Sequence, residues 1–288
     1  MSEYRDRLKQ FLNERQQPLD VESLTADASI REYFRIGWNG GNAIACVYPE
    51  SFSPAEQSYL EVTNLFTAAG LPVAEILDFD GDLGVIIQED LGDRILRDAM
   101  IEAEKPAEAR LRDEAISLIA RIQAATDKAF EMNSIASRLK FDREKLVWEL
   151  NFFKTHYFET FLKKPLSAAE DAALSTEFVE LATELESFAT VLCHRDFHAA
   201  NLMIDGQDRM RIIDHQDARI GSPAYDLVSL LLDRITYLPS RQVLAESRKS
   251  FLDFRTKMVL ARRYEAPFAY QFRFQPNQRC LQSETTIA

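Results

Sequence analysis

The first ninety residues contain short alternating runs of apolar and polar residues, which are typical of strands. From Ser29 to Ile36, one face carries Ser29, Arg31, Tyr33 and Arg35, and the other carries Ile30, Phe34 and Ile36. The run Asn39-Gly40-Gly41-Asn42 is a hairpin-turn signal and predicts a return strand at 43–48. Two more strands are predicted at 76–79 and 83–88, and a turn is predicted at 24–29.

Two helices are predicted in the same part of the chain. Residues 1–17 read as a short amphipathic helix. Ser53-Pro54-Ala55-Glu56 has the sequence of a capping box with proline at the first helical position. It predicts a helix that begins there and ends at Gly70.

From Pro106 onward the pattern becomes helical, with predicted helices at about 106–125, 142–163 and 167–189. The third begins at a second capping box, Ser167 to Glu170. The second carries an aromatic stripe that is expected to be core: Trp148, Phe152, Phe153, Tyr157, Phe158 and Phe161. Three apolar runs, 191–193, 202–204 and 210–213, predict a strand and a hairpin, and a buried helix begins at Ser222-Pro223.

This order of elements predicts an α+β protein, because strands dominate the first block and helices the second. A chain of 288 residues is long enough for two lobes that share an interface. We expect a small antiparallel-sheet lobe at residues 1–90 and a larger helical lobe at 91–288.

Composition narrows the function classes only modestly. The net charge of −12 argues against a general nucleic-acid binder, because phosphate backbones require a basic surface. The sequence contains no apolar run of about 20 residues and no signal-peptide pattern at its start. Its three cysteines, Cys46, Cys193 and Cys280, are odd in number and far apart, which favours reduced thiols and a cytoplasmic location. Neither nucleic acid nor membrane is expected as a partner, and the oligomeric state is not predicted.

The strongest chemical signal is His194-Arg195-Asp196-Phe197-His198-Ala199-Ala200-Asn201, which follows the apolar run 191–193. A second carboxylate, Asp214, ends the apolar run 210–213. One carboxylate that needs no metal, followed by an amide and an acid that supply hard oxygen ligands, is the pattern of phosphoryl transfer from ATP. The spacing matches the HRDxxxxN loop and metal-binding aspartate of the protein-kinase superfamily.

Three of the four histidines, His194, His198 and His215, lie in this stretch and suggest a metallohydrolase as an alternative. That interpretation gives Asn201 no role and finds no zincin-like helix motif. Bracing of the loop backbone is the expected role of His194. Asp226, early in the helix that follows Pro223, either fixes the loop by hydrogen bonds or simply favours the helix start. His198 and Asp217 are candidates for contact with the acceptor.

Together, residues 194–203, 213–218 and 221–231 resemble the aminoglycoside phosphotransferase/choline kinase superfamily. Residues 27–35 and 88–93 narrow the resemblance to bacterial kinases that phosphorylate N-acetylmuramate and N-acetylglucosamine. The resemblance covers about residues 20–240 and implies a bilobal protein-kinase-like fold, with ATP and Mg²⁺ as cofactors. It implies that Asp196 is the catalytic base and that Asn201 and Asp214 are the Mg²⁺ ligands.

The resemblance also implies that the turn ending at Ser29 covers the phosphates. In a bilobal kinase the connector from Glu89 to Gly92, with Leu91, would present its backbone to adenine, and a plain linker is the alternative. A departure is the absence of any lysine between Lys9 and Lys105, although such kinases usually hold the phosphates with a strand lysine. We expect Arg31 or Arg35 to supply this charge, with Glu56 or Glu61 as its partner. After Tyr264 the sequence contains two prolines and no helical stripe, where the family would continue with a helix.

The expected activity is phosphorylation of a hydroxyl on a small molecule, most plausibly an amino sugar, by Mg·ATP. Two alternatives stay open at this point. An aminoglycoside-modifying kinase would require several carboxylates at the acceptor cleft, which the sequence does not locate. A nucleotide-binding pseudokinase with a regulatory role is favoured by the missing lysine.

Overall fold

The computed structural model describes residues 3–24, 30–232, 239–258, 268 and 270–272. The chain divides into two compact units, Met1–Arg94 with Met203–Gln216, and Ile95–Leu202 with Asp217–Ala288. The predicted lobes, 1–90 and 91–288, assign residues 203–216 to the helical lobe. In the structure these residues belong to the first unit, because the backbone N–H of Ile212 donates to Pro72 O at 2.8 Å and that of Ile204 donates to Arg94 O at 2.8 Å.

The first unit is built on a five-stranded antiparallel sheet with the order β1-β2-β3-β5-β4. The strands are Val21–Leu24 (β1), Glu32–Trp38 (β2), Gly41–Val47 (β3), Ile76–Asp80 (β4) and Val85–Glu89 (β5). The β2–β3 hairpin was predicted, and its turn uses φ values of +48° at Asn39 and +83° at Gly40, which suit these residue types. Strand β1 was not predicted, and the remainder of the predicted 24–29 turn lies outside the described residues.

One face of the sheet is covered by helix α1, Glu3–Glu14, which buries Leu8, Phe11 and Leu12. These side chains pack against a cluster from β2, β3 and β5: Phe34, Ile36, Ala43, Ala45, Val47, Val85 and Ile87. The predicted apolar face of the first strand is therefore confirmed for Phe34 and Ile36. It is wrong for Ile30, which is 78% exposed and precedes the first residue of β2.

Helix α2 spans Ser58–Ala68 and begins later than predicted. Its N-cap is Gln57, whose side-chain oxygen accepts from the backbone N–H of Tyr59. The predicted capping box at Ser53 is wrong, because Ser53 and Glu56 close a turn through their backbone, with Glu56 N–H donating to Ser53 O at 3.0 Å. The predicted stop is confirmed, since Gly70 follows the helix with a φ of +69°.

The β7–β8 hairpin (Leu202–Ile204 and Met210–Ile212) carries a buried ion-pair network. The guanidinium of Arg211 lies 2.9 Å from Glu89 Oε1 and 3.0 Å from Asp205 Oδ2, and it donates to Val73 O at 2.8 Å. Burial by itself would raise the pKa of Glu89 and of Asp205. Hydrogen bonds hold both pKa values below their ordinary range: those of Glu89 come from Arg211 and a backbone N–H, and those of Asp205 come from Arg209, backbone N–H groups and Arg211. Arg211 thus joins the hairpin to β5 through paired charges.

The second unit is mainly helical. Its helices are Leu96–Glu102 (α3), Lys105–Ala124 (α4), Thr126–Glu131 (α5), Ile135–Arg138 (α6), Arg143–Lys154 (α7), Ala168–Ser187 (α8), Tyr225–Leu231 (α9) and Arg241–Lys257 (α10). The short strands Val191–Cys193 (β6) and Arg219–Gly221 (β9) pair antiparallel. The capping box at Ser167 and Glu170 is confirmed by reciprocal hydrogen bonds at the start of α8. No helix among the described residues is long and apolar enough to cross a membrane.

The predicted helix at 142–163 changes type partway, since α7 ends at Lys154 and a π-helical segment continues over Thr155–Phe161. Phe153, Tyr157 and Phe158 belong to the core of this unit, which confirms half of the predicted aromatic stripe. The other half is wrong, because three of its side chains are exposed: Trp148, Phe152 and Phe161. The predicted irregular region after Tyr264 lies largely outside the described residues.

We expect Arg211→Met to lower the free energy of unfolding at pH 7 by about 2 kcal/mol, because the partly exposed Glu89 and the buried Asp205 each lose a charged hydrogen-bond partner, while Asp205 keeps Arg209. Since the pKa values of Glu89 and Asp205 are depressed in the folded state, their stabilisation is present at neutral pH and is lost as the pH falls into the acid range. Urea denaturation between pH 3 and 7 should therefore show a weaker acid dependence in Arg211→Met. Arg209→Met is the control. Arg209 is an exposed ion-pair partner of Asp205, and its loss should lower the free energy of unfolding by about 1 kcal/mol or less. Equal losses in the two variants would contradict this role of Arg211.

Candidate active site

The backbone of the loop that carries Asp196 is held by a buried carboxylate. Asp226, near the start of α9, is fully buried. Its Oδ2 accepts from the backbone N–H of His194 at 2.8 Å, and its Oδ1 accepts from that of Arg195 at 3.0 Å. Asp226 therefore fixes the loop backbone by hydrogen bonds, which is one of the two roles predicted for it. His194 is also fully buried, with its ring edge-to-face against Phe197 at 5.5 Å.

Arg195 connects this loop to the residues before β9. Its backbone has a φ of +86°, in the left-handed region that non-glycine residues seldom adopt. The guanidinium lies 2.8 Å from Asp217 Oδ2 and 3.8 Å from Asp196 Oδ2. Arg219 approaches the other oxygen of Asp217 at 3.3 Å. Asp217, predicted as an acceptor contact, is thus already an ion-pair partner of two arginines, although its side chain stays 46% exposed.

Asn201 ends a short 3₁₀ turn, Ala199–Asn201, that follows the loop. Its side-chain Nδ2 donates to the backbone carbonyl of Asp196 at 3.0 Å and lies 3.2 Å from His198 Nε2. Because the amide nitrogen is directed at these groups, the carbonyl oxygen is the atom that can face a cation. His198 contacts Asn201 in the structure, so its predicted role toward the acceptor remains a prediction.

Asp214 follows β8 with a φ of +59°. Its Oδ1 accepts from Gln216 Nε2 at 2.9 Å and lies 3.7 Å from Arg31 Nη2, and its side chain is 40% exposed. An exposed carboxylate and an amide carbonyl are oxygen donors of the kind that Mg²⁺ prefers. Among the described residues, no group of three or more His, Cys, Asp or Glu side chains forms a cage for a metal. Each of these two donors, taken by itself, is of a chemical type that suits this cation.

The two arginines proposed for the phosphates differ sharply. Arg35 is held by Asp90, with Nε–Oδ2 at 2.7 Å and Nη2–Oδ1 at 3.2 Å, and by Asp93 at 2.8 Å. These acidic partners raise the pKa of Arg35 above its usual value. Its guanidinium is thus already paired with two carboxylates of the connector, so it is poorly suited to hold phosphate.

Arg31 is surrounded mainly by aromatic side chains. Its guanidinium is 5.8 Å from the ring centroid of Tyr33 and 5.7 Å from that of Tyr48. Burial alone would lower the pKa of Arg31, but the ionisable groups of Tyr33, Cys46 and Tyr48 raise it, so the guanidinium stays charged. Burial also raises the pKa of the Cys46 thiol to about 11.

The ion pair of Arg31 is with Asp214, where the sequence suggested Glu56 or Glu61. The connector residues are held by other contacts, since the side chain of Glu89 pairs with Arg211 and that of Leu91 is buried. Ser29 lies outside the described residues. Sequence reasoning missed Gln216 and Thr63, because hydrogen bonds to Asp214 and His215 leave no periodic signal in the chain.

The phosphotransferase enzyme family (APH) matches residues 20–255 of this chain. The chain is 30% identical over 215 residues to the N-acetylmuramate/N-acetylglucosamine kinase of Neisseria meningitidis serogroup B, covering 74% of this chain and 61% of that protein. It is 32% identical over 254 residues to the kinase of the same name from Caulobacter vibrioides, covering 77% of this chain and 69% of that protein. The chain thus spans less than two thirds of the length of the Neisseria relative.

Solved structures of low sequence identity have the same fold. The streptomycin–ATP complex of APH(2")-IIa matches with a TM-score of 0.59 and 12% identity, over 88% of this chain and 85% of that one. Macrolide 2'-phosphotransferase type I matches with a TM-score of 0.62 and 11% identity, over 96% of this chain and 88% of that one. The prediction of an α+β, kinase-like fold is confirmed.

We expect Asp226→Asn to lower the free energy of unfolding by about 2 kcal/mol, because the amide exchanges one acceptor for a donor that faces a backbone N–H. Urea denaturation measures the loss. Ser229→Ala is the matched control in the same helix, since it removes a single hydroxyl bond to Tyr225 O and should cost about 1 kcal/mol. An Asp226→Asn protein as stable as the wild type would show that the loop does not depend on this carboxylate.

Proposed function

Because this chain belongs to the phosphotransferase enzyme family, we propose that it transfers a phosphoryl group from ATP to a hydroxyl of a small molecule. We propose further that the acceptor is an amino sugar of the N-acetylmuramate/N-acetylglucosamine type. Supporting this choice, two relatives with that activity in their names are 30% and 32% identical over about three quarters of the chain.

The observation that carries the proposal is the braced loop around Asp196. Its backbone is anchored by Asp226 on one side, and its carbonyl at Asp196 accepts from the Asn201 amide on the other. A carboxylate on such a fixed loop can orient an acceptor hydroxyl and receive its proton without first reorganising. We assign this role to Asp196, whose side chain is about one third exposed.

Asn201 and Asp214 are proposed as oxygen ligands for Mg²⁺. When bound, the cation neutralises charge on the transferring phosphate oxygens. The chain's own contribution is to hold the two donors in fixed orientations. Asn201 is oriented through its amide nitrogen, and Asp214 through its hydrogen bond from Gln216.

Arg31 is proposed as the cation that takes the place of the missing strand lysine. Its guanidinium lies 3.7 Å from Asp214 and beside the rings of Tyr33 and Tyr48, whereas Arg35 is engaged by two carboxylates. A guanidinium can contact phosphate oxygens through two N–H groups at once. The absence of lysine, which favoured a pseudokinase, therefore does not leave the sheet without a phosphate-binding charge.

We expect purified protein to release ADP from Mg·ATP when N-acetylmuramate or N-acetylglucosamine is added, and Asp196→Asn to lower this turnover by at least about 100-fold. A coupled ADP assay measures the rate, with thermal denaturation to show that the variant is folded. A tested panel should include aminoglycosides and choline. Turnover on an aminoglycoside alone would replace the proposed acceptor, and full activity in Asp196→Asn would remove its role.

We expect Arg31→Met to weaken ATP binding or slow turnover by at least about tenfold, because hydrogen bonds between charged groups contribute roughly 1.5–3 kcal/mol. Arg35→Met is the matched control on the same strand face and should change stability more than kinetics. Steady-state kinetics with varied ATP separates the Michaelis constant from turnover. If Arg35→Met impaired kinetics and Arg31→Met did not, the two assignments would have to be exchanged.

A further inference from the structure

His215 belongs to the histidine-rich stretch, and the proposed mechanism gives it no role. It follows Asp214 directly, and it is fully buried. Its imidazole lies between two rings of helix α2, with centroids 5.0 Å from Tyr59 and 5.2 Å from Phe66 and interplanar angles of 29° and 23°. A titratable side chain is thus stacked inside an aromatic slot, one residue from a proposed magnesium ligand.

The slot also contains a directional contact. The hydroxyl of Thr63 lies 2.7 Å from His215 Nε2 and donates its proton to the backbone carbonyl of Tyr59 at 2.6 Å. A hydroxyl has one proton, so Thr63 Oγ1 must accept from a protonated Nε2 of His215. Stacking therefore fixes the plane of the imidazole, and this hydrogen bond fixes its rotation within that plane.

Fixing His215 restricts Asp214, which lies between two anchored neighbours. On its N-terminal side, Ile212 is held by its N–H bond to Pro72 O at 2.8 Å. On its C-terminal side is the His215 ring. Asp214 itself is in the left-handed region at φ +59°, a conformation that a non-glycine residue keeps only when its surroundings impose it. The backbone at Asp214 is thus bounded by two fixed contacts, one of which is the Thr63–His215 pair.

The same helix reaches the strand that leads to the connector. The Tyr59 hydroxyl donates to Gln88 Oε1 on β5, while the Tyr59 ring stacks on His215. Helix α2 therefore touches both the turn that carries Asp214 and the strand that precedes the proposed adenine-binding residues. Within the first unit, the side chain of Tyr59 contacts both this turn and this strand.

We propose that Thr63 and His215 form a positioning pair that orients Asp214 for the divalent cation, a role that rests on the proposed function. An apolar ring could fill the slot equally well by stacking, but only the imidazole adds a hydrogen bond with a fixed direction. Partners behind a metal ligand commonly change metal affinity by about 10–100-fold when removed. The pair acts through Asp214 and does not itself touch the substrate.

The test uses Mn²⁺ as the probe cation, measured by electron paramagnetic resonance of the free ion in the presence of ADP. Thr63→Val keeps the shape of the side chain and removes the hydroxyl, and we expect it to weaken Mn²⁺ binding about tenfold. Thr63→Ser retains the hydroxyl and should restore binding. Thr67→Val, on the exposed face of the same helix one turn later, is the matched control and should behave as wild type.

Stability is separated from positioning by the double variant Thr63→Val/His215→Phe. Replacing both partners leaves no unmatched polar group in the slot, so the protein should melt close to the wild type even if Thr63→Val alone folds poorly. Its Mn²⁺ binding should nevertheless stay about tenfold weaker. Wild-type Mn²⁺ affinity in the double variant would overturn the positioning role. Wild-type protein that binds ADP but no Mn²⁺ would overturn the proposed metal site, and this inference with it.

Discussion

The buried carboxylate of Asp226 is the interaction on which the catalytic loop depends. A single side chain accepts from two successive backbone N–H groups, and it is taken from a helix that begins about thirty residues later in the sequence. Leaving a buried carboxylate or those N–H groups unpaired would be costly, so the loop has one well-defined path. The left-handed backbone of Arg195 is tolerated because this carboxylate holds the two peptide groups that precede the Arg195 Cα.

In the first unit, ion pairs hold segments of the chain together, and they determine which arginines already have carboxylate partners. Arg211 and Arg35 are each engaged by two carboxylates, and both thereby hold the sheet to neighbouring segments. Arg31 differs because its surroundings are mostly aromatic rings and a thiol. Arg31 thus keeps a positive charge beside a sheet whose strands contain no lysine.

Local signals in the sequence predicted the elements that local interactions form. The capping box at Ser167 is an example, since all its hydrogen bonds lie within four residues. The similar pattern at Ser53 failed because Gln57 caps the helix instead. Strand β1 carries no alternation and exists because β2 pairs with it.

In the candidate site, too, the sequence predicted what depends on nearby residues and missed what depends on distant ones. The spacing of Asp196, Asn201 and Asp214 predicted the chemistry, and the alternation in residues 29–36 predicted Arg31 and Arg35 as candidates for the phosphate charge. In the structure Arg35 lies in β2, whereas Arg31 precedes the first residue of that strand. Nothing in that pattern distinguishes the two arginines, because the difference comes from Asp90 and Asp93, more than fifty residues away. His215 was noticed only as a possible metal ligand, since its slot is made by side chains about 150 residues earlier.

The buried thiol of Cys46, near Arg31, determines how the protein reacts with thiol reagents. Cys46 and Cys193 are both buried and unbridged, and burial raises the pKa of each well above neutral. Alkylating and oxidising reagents attack the thiolate, which is scarce at these positions and sealed from solvent. Modification of Cys46 therefore requires the sheet to open first, so its labelling rate reports how often that opening occurs. A thiol that does not react in the folded protein thus reports the rate at which the sheet opens locally.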